Sequence, residues 1–170
     1  MARAMATPVS HVLDRMEKAI RPVLLGRLKA GQEQDGALVL RTAAGTDWVD
    51  MPKDRAAFRA RIRQLSAQPG VQGVALVSSM WVAVRPVADP SGPAPSQDPN
   101  RRSLLFAVIV DRSSMQTRTF AWFYKLNHAV KPGAPGHTFD IEEAPPKGDA
   151  LAFGPLVEDL MAEIAGGRVA

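Results

Sequence analysis

Val71-Gln72-Gly73-Val74-Ala75-Leu76-Val77-Ser78-Ser79-Met80-Trp81-Val82-Ala83-Val84-Arg85 is the stretch whose reading decides the fold. One alternate set is Val74, Leu76, Ser78, Met80, Val82 and Val84. The other is Ala75, Val77, Ser79, Trp81, Ala83 and Arg85. Both sets are largely apolar, which predicts a strand covered on both faces. The run has no internal proline to break a ladder, and Pro86 closes it. Two more apolar runs follow, Ser103 to Val110 and Met115 to Leu126. Between them Asp111-Arg112-Ser113-Ser114 forms a short turn, so the two runs should pair antiparallel. In the last run Phe120, Trp122, Tyr124 and Leu126 share one face, and Thr117, Thr119, Ala121, Phe123 and Lys125 share the other. Such an aromatic row can stack nucleobases on an open sheet. Two amphipathic helices also need a surface, so the row is expected to be core.

Upstream, Val9, Val12, Leu13, Met16, Ala19, Ile20, Val23, Leu24 and Leu28 step by threes and fours, the stripe of one helix face. The helix opens at Thr7-Pro8 or Ser10 and fades by Ala30-Gly31. Glu17–Arg21 and Asp14–Lys18 are favourably oriented pairs on it, and Pro22 should kink it near Lys18. Ala37–Thr42, a turn at Ala43–Thr46 and Asp47–Met51 make a candidate hairpin, with Trp48 as a packing residue. A second helix runs from about Pro52 to Ala67, with Phe58, Ile62 and Leu65 as a thin stripe and Pro69-Gly70 as its stop. Thr138–Glu142 is a candidate edge strand. The last helix spans Gly154-Pro155 to Gly166-Gly167. Leu156, Val157, Leu160, Met161 and Ile164 form one face of it, and Glu158, Asp159 and Glu163 the other. The expected fold is a single α+β domain over residues 1–170, frayed at 1–7 and 167–170. It has a mainly antiparallel sheet of about five strands covered by three helices.

With 170 residues, this chain can bury a real core. It has no cysteine, which excludes disulfides, thiolate metal sites and cysteine nucleophiles. Met1 to Pro8 has no apolar core of a secretory signal, and no run nears the roughly 20 apolar residues that span a bilayer. A cytoplasmic protein with no membrane partner is expected. The net charge of +4 is unevenly spread. Lys and Arg outnumber Asp and Glu by twelve to seven over residues 1–63, but are outnumbered seven to two over 137–170. Either the acidic tail lies against the basic body, or both are solvated, or the basic part is an anion-binding face.

Few residues suggest chemistry. Gly-x-Ser-x-Gly, the phosphate-binding and dinucleotide glycine signatures and His-Glu-x-x-His are all missing from the sequence. His128, His137, Asp140, Glu142 and Glu143 fall close together, but their spacing matches no metal-ligand pattern. Neither a metal, a cofactor nor a catalytic residue is assigned. The best candidate binding segment is the loop from Val87 to Asn100. There Ser96, Asp98 and Asn100, followed by Arg101 and Arg102, could form an anion-attracting corner. Alternatively Ser96 and Asp98 cap turns, and the arginines pair with the acidic tail. Arg55, Arg59, Arg61 and Arg63 make the second helix the most basic element, a possible phosphate-binding face.

The segments Val77-Ser78-Ser79-Met80-Trp81 and Pro95-Ser96-Gln97-Asp98-Pro99-Asn100-Arg101 resemble a group of small uncharacterised bacterial and phage proteins. Those carry a strand with a Ser-Glu-Ala-Trp-like motif, then a Pro-Ser-x-x-Pro-x-Arg loop, then an apolar strand. Ser79 and Met80 stand here where that pattern has Glu and Ala. The resemblance covers about fifty residues, Val71 to Asp111, and implies a shared α+β fold with no activity to carry over. The sequence thus points first to a non-enzymatic interaction or accessory protein, from a phage or mobile element, that binds an unknown protein or itself and has no deep polar cleft. The alternative is nucleic-acid or anion binding by the basic helix with Arg101 and Arg102, which requires one continuous positive patch.

Overall fold

A computed structural model describes residues 10–82, 102–126, 139–143 and 155–169. The elements follow as α1 (His11–Lys29), β1 (Ala37–Thr42), β2 (Gly45–Asp50), α2 (Arg55–Ser66), β3 (Gly73–Val82), β4 (Arg102–Asp111), β5 (Thr117–Leu126), β6 (Phe139–Glu143) and α3 (Pro155–Val169). The six strands form one antiparallel sheet in the order β2-β1-β3-β4-β5-β6. The sheet of about five strands that the sequence implies is present with six, and the β1–β2 hairpin belongs to it through β1 pairing with β3. The expected α+β class stands.

Ser10 starts α1. Its hydroxyl accepts the Leu13 N–H at 3.2 Å, which satisfies one of the orphan donors of the first turn. The helix then buries Leu13, Met16, Ile20, Leu24 and Leu28 along one stripe. It is continuous through Pro22, which is exposed together with Lys18, so the carbonyl that proline leaves unpaired lies on the solvent side. At the other end Gly31 takes a positive φ of 75°. Gly31 N–H bonds the Leu28 carbonyl at 2.9 Å, and Gln32 N–H bonds that of Arg27 at 2.9 Å, a two-bond glycine cap. This cap turns the chain into the segment 32–36, which becomes important below.

α2 starts at Arg55 rather than near Pro52. The Asp54 carboxylate accepts the Ala57 N–H at 2.8 Å and sets the first turn there.

The alternation in β3 places its two apolar sets in separate layers. On one side Val39, Ala75, Val77, Leu105, Ala107 and Ile109 meet the stripe of α1, along with Phe120, Trp122 and Tyr124. The aromatic row is therefore core beneath a helix. Trp48 packs at the edge of this layer, with the Arg27 guanidinium 5.1 Å from its ring centre. On the other side Leu38, Leu40, Val74, Leu76, Phe106, Val108 and Val110 meet Phe58, Ile62 and Leu65 of α2 and Leu160 and Ile164 of α3. Helices on both faces explain why β3 and β4 are apolar on both sets.

Asp159 and Glu163 are buried, although the sequence put them on a polar face of α3. They lie against α2, where Arg55, Arg59 and Arg63 recur every fourth residue and so form one row. Arg55 Nε reaches Asp159 at 2.9 Å, Arg59 reaches Glu163 at 2.9 Å and Arg63 reaches Glu163 at 3.1 Å. The acidic end of the chain thus lies on the basic body.

Candidate binding cleft

β1 and β3 differ in length, and that difference makes the cleft. Their pairing ends at Ala37↔Val77, whereas β3 continues to Val82. From Ser78 onward, β3 has no strand partner on its β1 side among the described residues. The segment between the cap of α1 and the start of β1 passes this open edge. Two neighbouring depressions result, both lined by Asp35, Gly36 and Ser78.

The first, about 340 Å³, lies toward the α1 side and is lined by Glu33, Gln34, Ser79, Ser103 and Tyr124 besides the shared residues. The second, about 570 Å³, opens toward the α2 side over Met51, Phe58 and Leu76, and is rimmed by Asp50, Lys53, Arg55 and Asp159. Both are open to solvent. Ser78 lines both depressions and Ser79 only the first. Ser78, Ser79 and Met80 also belong to the resembling stretch and line the first depression.

Tyr124 is the centre of the first depression. It is 4% exposed, and its hydroxyl donates to Glu33 Oε1 at 3.4 Å. Burial raises the phenol above the usual tyrosine range, and the Glu33 carboxylate raises it further, while the Ser79 and Ser103 hydroxyls draw it back. Ser79 Oγ is close enough to act on the phenol, yet it is buried with no partner in hydrogen-bonding geometry. Gln34 is already engaged: it accepts from Arg27 and donates to the Asp35 carbonyl at 2.7 Å. In the second depression, Arg55 and Asp159 hold each other.

Of the residues that the sequence nominated, Ser96, Asp98, Asn100 and Arg101 lie outside the described residues. Arg102 opens β4. It reaches Glu142 of β6 at 2.7 Å, with its guanidinium 4.1 Å from the Phe123 ring centre, so it clamps the edge strand. The arginines of α2, expected as an anion-binding face, have partners of their own. Arg55, Arg59 and Arg63 are matched by the carboxylates of α3, and Arg61, two residues from Arg59 and off the row, is half-buried and bonds Gln64 at 3.1 Å. Glu143 binds Arg21 at 2.8 Å. No group of three or more metal-ligating side chains occurs among the described residues. No helix among them is long and apolar enough to cross a membrane.

A further depression near the start of α1 contains Asp111. Its oxygens are taken by the Ser10 hydroxyl at 2.6 Å and by the Ser113 hydroxyl and N–H at 2.9 and 3.0 Å, so it has a structural role.

No family model, curated protein or solved structure matches this chain. Function must therefore be argued from the cleft.

Sequence reasoning missed this cleft. Ser78 and Ser79 read as an interruption of an apolar strand, and Tyr124 as one member of a core row. The available signal was the pair of polar residues inside an otherwise apolar strand, at a place where the shorter neighbouring strand has already ended.

Proposed function

We propose that this chain is a non-catalytic binding module whose cleft takes an extended segment of a partner protein. It would be an accessory protein of a bacterium or phage, working in the cytoplasm. One observation carries the reading: the cleft runs along a strand edge with no strand partner among the described residues, from Tyr124 on one face to Phe58 on the other. An open edge offers backbone hydrogen bonds to an added strand, while pockets on both faces receive its alternate side chains. The apolar floor of Met51, Phe58 and Leu76 fits one such residue. No nucleophile–base pair or metal set among the described residues supplies a reaction. The cleft is polar at its Tyr124 end, which departs from the expectation of an interaction protein without a polar cleft. The proposed binding surface is the β3 edge; residues 87–101 of the expected loop lie outside the described residues.

The test is panning of a random peptide display library on the protein, followed by binding to Gly36→Leu. A methyl at Gly36 meets only ordinary contacts, Ser78 Oγ at 3.8 Å and Met51 Cβ at 3.9 Å, so a longer side chain should fold and fill the junction of the two depressions. Selected peptides should lose at least about tenfold in affinity for the variant, roughly 1.4 kcal/mol. Equal binding to both proteins would remove the cleft from consideration. Self-association through the same edge predicts instead a concentration-dependent dimer in light scattering that Gly36→Leu abolishes.

A further inference from the structure

The Tyr124 end of the cleft has an unbalanced hydrogen-bond inventory. Among the described residues its charged lining is Glu33 and Asp35, with no Lys or Arg. Tyr124 spends its single proton on Glu33, which leaves the phenol oxygen able only to accept. Glu33 binds through Oε1 alone among the described residues. Ser79 Oγ is buried beside the Tyr124 phenol with no partner in hydrogen-bonding geometry. Ser103 adds a further hydroxyl. Arg27 of α1 bonds Gln34 at the pocket's edge and lies over Trp48, with its guanidinium not bonded to Glu33 or Asp35. Acceptors and negative charge therefore converge on a space of about 340 Å³ beside a buried hydroxyl.

We infer that this pocket receives a cationic side chain, the guanidinium or ammonium group of an arginine or lysine in the bound segment. The inference rests on the reading of the cleft as a partner-segment site and names the residue class that the segment must carry. A cation brings the positive charge that the described lining lacks, and several donors at once. A guanidinium has five N–H donors and an ammonium three, enough for the Glu33 carboxylate, the phenol oxygen and the serine hydroxyls together. An anion would face two carboxylates here. An apolar side chain would leave Ser79 Oγ unsatisfied and desolvate Glu33 without return. The second depression suits a neighbouring apolar residue, so the preferred segment alternates basic and apolar positions.

The pocket is tested with N-acetyl-argininamide as probe and its neutral isostere N-acetyl-citrullinamide as control, read by amide chemical shifts. Saturable shifts at Glu33, Ser79, Ser103 and Tyr124 with the first and none with the second support the inference. Glu33→Gln changes an exposed side chain without changing its size, and should weaken the arginine probe at least about tenfold. Equal binding of both probes, or an unchanged affinity in Glu33→Gln, overturns it. The display selection separates the two levels of the argument. Gly36→Leu-sensitive peptides without Arg or Lys enrichment overturn the cationic pocket and leave the partner-segment reading standing. Binding of the arginine probe without any selected peptide overturns the assignment to a partner's side chain in favour of a free small cation.

Discussion

Asp111 shows how much one side chain can hold. It ends β4, accepts from Ser10 at the start of α1, and accepts twice from Ser113 in the following turn. Burial alone would raise its pKa, but the bonds from Ser10 and Ser113 outweigh that and hold the carboxyl below the usual aspartate range. A folded pKa below the unfolded value gives stability that is present above the unfolded pKa, near 4, and is lost as pH falls through the folded value. Asp111→Asn should therefore cost about 1–3 kcal/mol at pH 7 in urea unfolding. Its loss of stability between pH 5 and pH 2 should be shallower than that of the parent, and a parallel pH profile would refute the assignment. Gly73 is a second such position. A Cβ there would meet Met16 Sδ and Val12 Cγ1, each at 2.6 Å, and the Val110 carbonyl at 3.3 Å. The Met16 thioether can move, but Val12 is stiff. Gly73→Ala should destabilise by about 1–3 kcal/mol through overpacking, and a neutral result in thermal melts would show that α1 can lift. Neither role is visible in sequence. Gly73 reads as an ordinary glycine at a strand start, and Asp111 as a turn residue, because each acquires its role from a partner distant in the chain.

At the scale of elements, α3 presents a choice between two kinds of attachment. It offers Leu160 and Ile164 to the core, both fully buried, and Asp159 and Glu163 to the arginines of α2. Those arginines are 46–66% exposed, and ion pairs so open to water contribute little to stability. The apolar residues hold the helix, and the ion pairs fix its sense and position along α2. Gly166 fits that division: a Cβ there would meet the Arg63 guanidinium at 2.6 Å, so the glycine leaves room for the arginine that reaches Glu163. Leu160→Ala should cost about 2–5 kcal/mol. Glu163→Gln should cost no more than about 1 kcal/mol. Denaturant unfolding of the two variants decides, and equal losses would reverse the ranking. The periodicity of each helix was legible in the sequence, since an apolar stripe marks the buried face whatever it packs on. Asp159 and Glu163 misled because burial of a charge depends on its partners, and the partners lay a hundred residues upstream.

For the whole molecule, the sequence conveyed the layers better than the site. Two apolar faces on β3 required helices on both sides, and the six strands and three helices follow the expected order. The cleft was hidden because it arises from a mismatch of strand lengths. Glu33, Ser79, Ser103 and Tyr124 come from four separate stretches, and only the register Ser103↔Tyr124, together with the end of β1 at Ala37, brings them to one place. Local patterning has no access to either fact. The same separation explains why the best sequence candidates were the loop 87–102 and a basic helix: both are contiguous, and contiguity is what a sequence displays.

α1 packs on strands made from the middle and the far half of the chain. Its ties to Asp111 and Arg118 span 101 and 104 residues. Translation at about 5–20 residues per second leaves the helix waiting roughly 5–20 s for those strands. Until β4 and β5 follow, Leu13, Met16, Ile20, Leu24 and Leu28 have only β1 and β3 to cover them. α1 thus leaves the ribosome well before most of the sheet that buries it, and during synthesis its stripe is the surface that a chaperone would hold.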